Sequence, residues 1–165
     1  FREAIRIQPD YAGAHNNLAN LLAGSGDFPQ ARYHFEVALR FKPDDARTRY
    51  NFAMALGRAR LFAEAQQQLE ESLRADANFA DAHQVLADML MAKEQAQTAI
   101  PHYREAVRLA PDSGRAHLGL GSALAMTGDI SQALAHLQIA AASADPSARQ
   151  AAAELLQQLR AIRRP

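Results

Sequence analysis

The sequence lacks cysteine and tryptophan, and it is thin in glycine and proline, with 8 and 7 in 165 residues. Without cysteine there is no disulfide staple and no thiolate metal site, and the compartment stays open. Neither sign of charge dominates. Lys plus Arg and Asp plus Glu both count 18, for a formal net charge of zero. A general nucleic-acid binder needs a basic face to replace phosphate counterions, so no nucleic-acid partner is expected. No apolar run approaches the ~18 residues of a bilayer crossing, so no membrane span is expected. The signatures of catalysis are missing too: there is no GxSxG, P-loop, GxGxxG or DFG-like grouping. Glu70–Glu71 and Asp44–Asp45 fall at surface or capping places, not in the shared burial that tunes a carboxylate pair. Catalysis, a cofactor and a metal are therefore not expected.

What is abundant is alanine, and it recurs in register. The stretch from Ala12 to Asp45 is a 34-residue unit, and shifting the sequence by 34 aligns it with itself without a gap. One column reads Phe1, Phe35, Leu69, Tyr103 and Leu137, and another Leu18, Phe52, Leu86 and Leu120. Small columns run beside them: Ala19, Ala53, Ala87 and Gly121, then Ala31, Ala65, Ala99 and Ala133. Bulky and small residues alternating at helical spacing suit helices that dock on copies of themselves. Pro9, Pro43 and Pro111 end a helix in each unit, with Ala77 in the remaining place. Asp10, Asp44, Asn78 and Asp112 follow directly and are expected to accept from free N–H groups at the next helix start. A second turn falls mid-unit, at Gly26-Asp27 and Gly128-Asp129. Helices are predicted near 11–25, 28–41, 45–58, 62–75, 79–92, 96–109, 113–126 and 130–143.

These residues resemble the tetratricopeptide repeat family. The first unit carries the pattern in Leu18, Ala19, Leu22, Gly26, Ala31, Phe35, Ala38 and Pro43, and the third in Leu86, Ala87, Leu90, Ala99, Tyr103, Ala106 and Pro111. The resemblance implies an all-α, right-handed superhelical solenoid over residues 1–165. It would comprise a half repeat at 1–11, full repeats at 12–45, 46–79, 80–113 and 114–147, and a capping helix at 148–165. Arg60 and Glu94 stand where the other units have turn glycines, so those turns are expected to be tighter or less left-handed. Pro101 inside a helix removes a hydrogen bond, and a local bend is expected there.

The ends read differently. Phe1-Arg2-Glu3-Ala4-Ile5 looks like the middle of an amphipathic helix, so the chain is expected to be a segment of a longer protein with a cut apolar edge able to self-associate. The last helix has Ala151, Leu155, Leu156, Leu159 and Ile162 on its apolar side and Gln150, Glu154, Gln157, Gln158 and Arg160 on its polar side. A polar-backed helix suits the end of a solenoid. Arg160, Arg163 and Arg164 near the terminus read as a solvated end.

In this family the first helix of each unit lines a concave groove that takes a protein or peptide partner. Carried over, the groove is Asn16, Asn17 and Asn20 in the first unit, and Arg47, Tyr50, Asn51, Met54 and Arg58 in the second. The third supplies Asp81, Gln84, Asp88 and Met91, and the fourth Arg115, Leu118, Ser122 and Met126. Asparagine amides pair with extended backbone whatever its side chains, and methionines adapt to varied apolar anchors. A carboxylate clamp like that of chaperone-binding members is not met, because its cations are missing and Asp81 would repel the ligand. The asparagine ladder of O-linked N-acetylglucosamine transferase solenoids is met in part, by Asn17 and Asn51, and broken by Val85 and Gly119. The expected function is a protein–protein interaction scaffold without catalysis; the alternative is a substrate-recruiting arm of a larger enzyme such as a glycosyltransferase.

Six histidines also keep the period. His15, His83 and His117 form one column, with Arg49 in the fourth place. His34, His102 and His136 form another, with Gln68 in the gap. A metal ladder is opposed by geometry: equivalent helices lie ~8–10 Å apart, whereas an ion needs each nitrogen at ~2 Å. The first column is expected to pack between helices, as bulky rings do there in the family.

Overall fold

The computed structural model describes residues 1–162. Arg163, Arg164 and the Ile162 side chain lie outside the described part. Among the described residues there are ten helices and no strand: α1 (Arg2–Ile7), α2 (Ala12–Gly24), α3 (Phe28–Phe41), α4 (Ala46–Arg58), α5 (Phe62–Ala75), α6 (Ala80–Ala92), α7 (Ala96–Leu109), α8 (Gly114–Met126), α9 (Ile130–Ala141) and α10 (Pro146–Ile162). The eight helices predicted from the period are present, with ends displaced by two residues at most. The chain divides into two compact units, Phe1–Ala77 with α1–α5 and the part from Asn78 onward with α6–α10. The first holds the hairpins α2–α3 and α4–α5; the second holds α6–α7 and α8–α9, with α10 packed on α9 and α8.

Local chemistry sets the helix ends. Gln8, Lys42 and Ala110, each just before a proline, leave helical space at φ −133°, −135° and −136°, because the proline ring disfavours the α region for its predecessor. Asp76 takes the same conformation, φ −142°, although Ala77 follows it. The caps of the first helices sit one residue later than expected. Tyr11, Asp45, Phe79 and Ser113 occupy the N-cap, not Asp10, Asp44, Asn78 and Asp112. Only Asp45 and Ser113 of these cap with a side chain, accepting from the amides of Thr48 at 3.1 Å and Ala116 at 3.2 Å. Asp27 and Asp129 do the same for α3 and α9. The helix α7 runs unbroken through Pro101.

The mid-unit turns correct the expectation at Arg60 and Glu94. Both residues are left-handed, at φ 62° and 60°, beside Gly26 at 86° and Gly128 at 89°. The reason is a hydrogen bond all four turns share. The amides of Asp27, Leu61, Gln95 and Asp129 each donate at 2.9 Å to the carbonyls of Leu22, Leu56, Leu90 and Leu124, closing the helix by a six-to-one bond. That bond fixes the chain direction into the next helix, and a side chain with a Cβ is forced into the same strained region.

The recurring columns form the core. Phe35, Leu69, Tyr103 and Leu137 are all buried, as are Leu18, Phe52, Leu86 and Leu120. Alanines 19, 53, 87, 31, 65, 99 and 133 are buried beside them. The reason for small size is explicit at Gly121. A Cβ there would lie 2.7 Å from Leu137 Cγ and 3.2 Å from the Ala133 carbonyl oxygen. Ser72 replaces alanine in its column and satisfies its hydroxyl by donating to the Ala46 carbonyl at 2.8 Å. At the far end α10 covers Leu137 and Ala140 with Ala152 and Leu156, flanked by Leu155 and Leu159. Ala152 carries this contact and Ala148 is buried against Gly114 of α8, whereas Ala151 is only half-buried.

Two stability measurements follow from the helix ends. Arg60→Gly and Glu94→Gly should each stabilise the chain by about 1 kcal/mol, since glycine lacks the left-handed penalty, and urea unfolding should show a raised midpoint. Asp145 accepts from the amides of Ser147 at 2.9 Å and Ala148 at 3.3 Å at the start of α10. Asp145→Ala should cost about 1 kcal/mol, read by the same titration.

Candidate functional site

The first helix of each hairpin carries the residues expected to line a groove, and the two units differ in what they present. In the first unit, α2 and α4 lie side by side. Asn17, Asn20, Arg47 and Arg58 are exposed; Asn16, Tyr50, Asn51 and Met54 are half-buried. Three amides are linked: Asn51 Nδ2 donates to Asn16 Oδ1 at 3.1 Å, and Asn16 Nδ2 donates to Asn17 Oδ1 at 3.3 Å. The chain of amides crosses from one repeat to the next and is ordered by its own bonds. Its ends keep the Asn17 NH2 group and the Asn51 carbonyl, one donor and one acceptor, the pair a peptide unit also carries.

The second unit is built around Asp88. One carboxylate oxygen accepts from Tyr103 Oη at 2.7 Å and from Gln84 Nε2 at 2.9 Å; the other accepts from Arg115 Nη2 at 2.5 Å. Asp81, Arg115 and Met126 are exposed, and Met91, Leu118 and Ser122 are half-buried, with the Ser122 hydroxyl turned back onto the Leu118 carbonyl at 2.8 Å. Gln84 is placed differently: it is only 8% exposed, its NH2 is tied to Asp88, and its Oε1 is buried with no hydrogen-bond partner among the described residues. The Tyr103 hydroxyl is pushed far above the usual phenol range, first by burial and then by the Asp88 charge that accepts its proton. It stays a donor throughout.

The same tyrosine closes the fourth place of the asparagine ladder, whose third place already holds Val85. A Cβ at Gly119 would lie 2.3 Å from the Tyr103 ring. The ring fills the space that a fourth amide would need, and Phe35, Leu69 and Leu137, its counterparts, have no hydroxyl to hold.

Six side chains that no groove reading singled out are brought together in pairs. His15 and His34 meet Nδ1 to Nδ1 at 2.8 Å, His83 and His102 at 3.0 Å, and His117 and His136 at 3.0 Å. His15, His83 and His117 are buried between helices as expected; the partnership with the second column was missed. The signal was present, since all three pairs are 19 residues apart and Arg49 and Gln68 depart from histidine together. Arg49 copies the arrangement. Its Nη1 donates to Gln68 Oε1 at 3.2 Å and pairs with Glu71, and its Nε donates to the Pro43 carbonyl at 2.9 Å. His15 Nε2 and His117 Nε2 reach the equivalent carbonyls of Pro9 and Pro111, both at 3.0 Å. Among the described residues no group of three His, Cys, Asp or Glu is placed to hold a metal, and no helix is long and apolar enough to cross a membrane.

Three sequence profiles described as tetratricopeptide repeat match residues 1–33, 22–89 and 85–149. The chain belongs to the tetratricopeptide repeat family, and its fold is the all-α solenoid of that family. No curated protein sequence matches it. Among solved structures it is similar to YrrB, described as a TPR protein with an unusual peptide-binding site, at 25% identity and TM-score 0.84, covering 99% of this chain and 84% of that one. It is also similar in fold to PilF of Pseudomonas aeruginosa, at 19% identity and TM-score 0.80 over 98% of this chain and 81% of that one. A third likeness is to MamA from Desulfovibrio magneticus RS-1, at 19% identity and TM-score 0.73 over 94% and 98%.

The Tyr103–Gly119 contact can be tested directly. Gly119→Asn should destabilise by about 1–3 kcal/mol through overpacking. Adding Tyr103→Leu should return part of that loss, so that thermal unfolding shows the two changes to be non-additive.

Proposed function

We propose that the chain is a protein–protein interaction scaffold that holds an extended peptide segment of a partner against its first helices, without catalysis of its own. The observation that carries this reading is the bonded amide chain Asn51–Asn16–Asn17 on the first unit. Its side chains are held by each other, so little rotamer entropy remains to be lost when backbone binds. The likeness to YrrB, a protein described as having a peptide-binding site, supports the same reading. On the second unit the half-buried Met91 and Leu118 and the exposed Met126 would take apolar side chains, and exposed Asp81 would favour a basic residue nearby. The recruiting-arm alternative differs only in what else the parent protein contains, and no residue described above favours it.

Replacing Asn17, Asn20 and Asn51 together with alanine should weaken binding about tenfold or more while far-ultraviolet circular dichroism is unchanged. The measurement is a titration with peptides selected on the wild-type chain from an immobilised random library. Equal affinity for the variant and the parent would sink the reading.

A further inference from the structure

The histidine pairs carry more than packing. A backbone carbonyl can only accept, so His15 Nε2 and His117 Nε2 hold the proton in their bonds to Pro9 and Pro111. In a neutral pair that leaves Nδ1 of each of these rings as acceptor, and Nδ1 of His34 and His136 as donor. The ring centroids are 5.0 Å and 5.2 Å apart, the N···N distance plus the two ring radii, so the nitrogens point straight at one another. A tetrahedral ion with bonds of ~2.0–2.1 Å holds two such nitrogens about 3.3 Å apart with both lone pairs turned onto it; nitrogens 2.8 Å and 3.0 Å apart and aimed at each other share a hydrogen bond instead.

The proton count follows. The first added proton goes to Nε2 of His34 or His136, and the shared bond survives with a charge on it. A second would have to land on the Nδ1 that is already accepting, and two N–H groups would face each other. We propose that the His15–His34 and His117–His136 pairs are proton-operated latches that hold α2 on α3 and α8 on α9 at neutral pH and release them on mild acidification, while the Arg49–Gln68–Glu71 latch of α4 and α5 stays shut.

The surrounding charges support the direction. Arg2 of α1 and Asp27 line one cleft with His34, and the Asp27 carboxylate is occupied in capping the Gln30 amide at 3.3 Å. On α4, Arg49 is matched by Glu71. Around the other pair, Arg104 of α7 reaches Gln132 of α9 at 3.4 Å, and Arg149 of α10 reaches the Ser143 carbonyl at 3.5 Å. Burial, then His15, then Arg2 hold His34 below the usual imidazole value; burial, then His117, then Arg104 do so for His136. A group lowered in the folded state contributes stability that is complete above the unfolded value of about 6.5 and is lost as the pH falls through the lowered one. Each proton that the open pair binds and the closed pair refuses raises the open-to-closed ratio about tenfold per pH unit.

The same α2 and α8 bear Asn16, Asn17, Asn20, Leu118 and Ser122, so release would also unseat the groove residues. That consequence rests on the peptide-binding reading, and the test is made without peptide so that either can fail alone. Hydrogen–deuterium exchange of the whole chain, resolved by helix and corrected for intrinsic rates, is compared at about pH 7.5 and about pH 5.5, above the ordinary carboxylate range. Protection in α2–α3 and α8–α9 should fall about tenfold or more, with α4–α5 unchanged. In a chain carrying His34→Gln and His136→Gln, the glutamine found at Gln68, the fall should vanish. Constant protection in the wild type, an equal fall in α4–α5, or a fall that persists in the variant overturns the proposal. Should the variant not fold, ring-nitrogen NMR of the wild type decides. One proton taken up per closed pair supports the latch; two taken up with protection intact overturns it.

Discussion

Everything in this fold depends on how closely two helices of a hairpin can approach. The limit is the Cβ of the residue at the crossing. At Gly121 even that atom would run into Leu137 and the Ala133 backbone, and Ala19, Ala53 and Ala87 hold the matching places elsewhere. Close approach lets one bulky residue per repeat, Phe35, Leu69, Tyr103 or Leu137, fill the remaining space completely. It also brings the backbone near enough for polar clips between helices, such as Ser72 on the Ala46 carbonyl. A fixed spacing then follows from the backbone, and the 34-residue period is its trace in the sequence.

The functional face inherits rigid seats from this packing and varies what sits on them. In the first unit the seats hold amides that bond one another across repeats. In the second, the register of Asn20 and Met54, one turn further along the helix, holds a carboxylate that gathers a tyrosine, a glutamine and an arginine. Part of the difference lies at one core position. A tyrosine in place of Phe35 or Leu69 needs an acceptor for its hydroxyl, which Asp88 supplies, and needs space over α8, which Gly119 supplies. Core and face are thus coupled at Tyr103.

Much of the fold was legible because it is periodic: helix existence, order and ends depend on residues within one repeat, and each repeat is a further reading of the same signal. What was misread depends on partners in space. The side-chain caps shifted from Asp44 and Asp112 to Asp45 and Ser113, and Phe79 shows the same shift where Ala77 replaces the proline, so two residues separate that position from the next helix whatever its identity. Arg60 and Glu94 looked like exceptions to a left-handed turn, yet the bond to the Leu56 and Leu90 carbonyls outweighs the preference of a single residue. Gln84 was placed on the face by its register, and the Asp88 carboxylate drew its amide inward. The histidine columns were visible separately, but their contact required knowing which faces of the two helices oppose each other.

The pairing of those columns governs how the repeats could be recombined. The His15, Arg49 and His117 latches span the mid-unit turn and also tie back to the carbonyl of the proline before their hairpins, Pro9, Pro43 and Pro111. A crossover placed in a mid-unit turn, joining α2 to α5 for example, would set His15 against Gln68 and bring Glu71 in without Arg49. A crossover just ahead of each proline would carry carbonyl, first helix and second helix together. The exchangeable module of this protein therefore begins at the proline that closes one repeat, six residues before the latch, and not at the first residue of a helix.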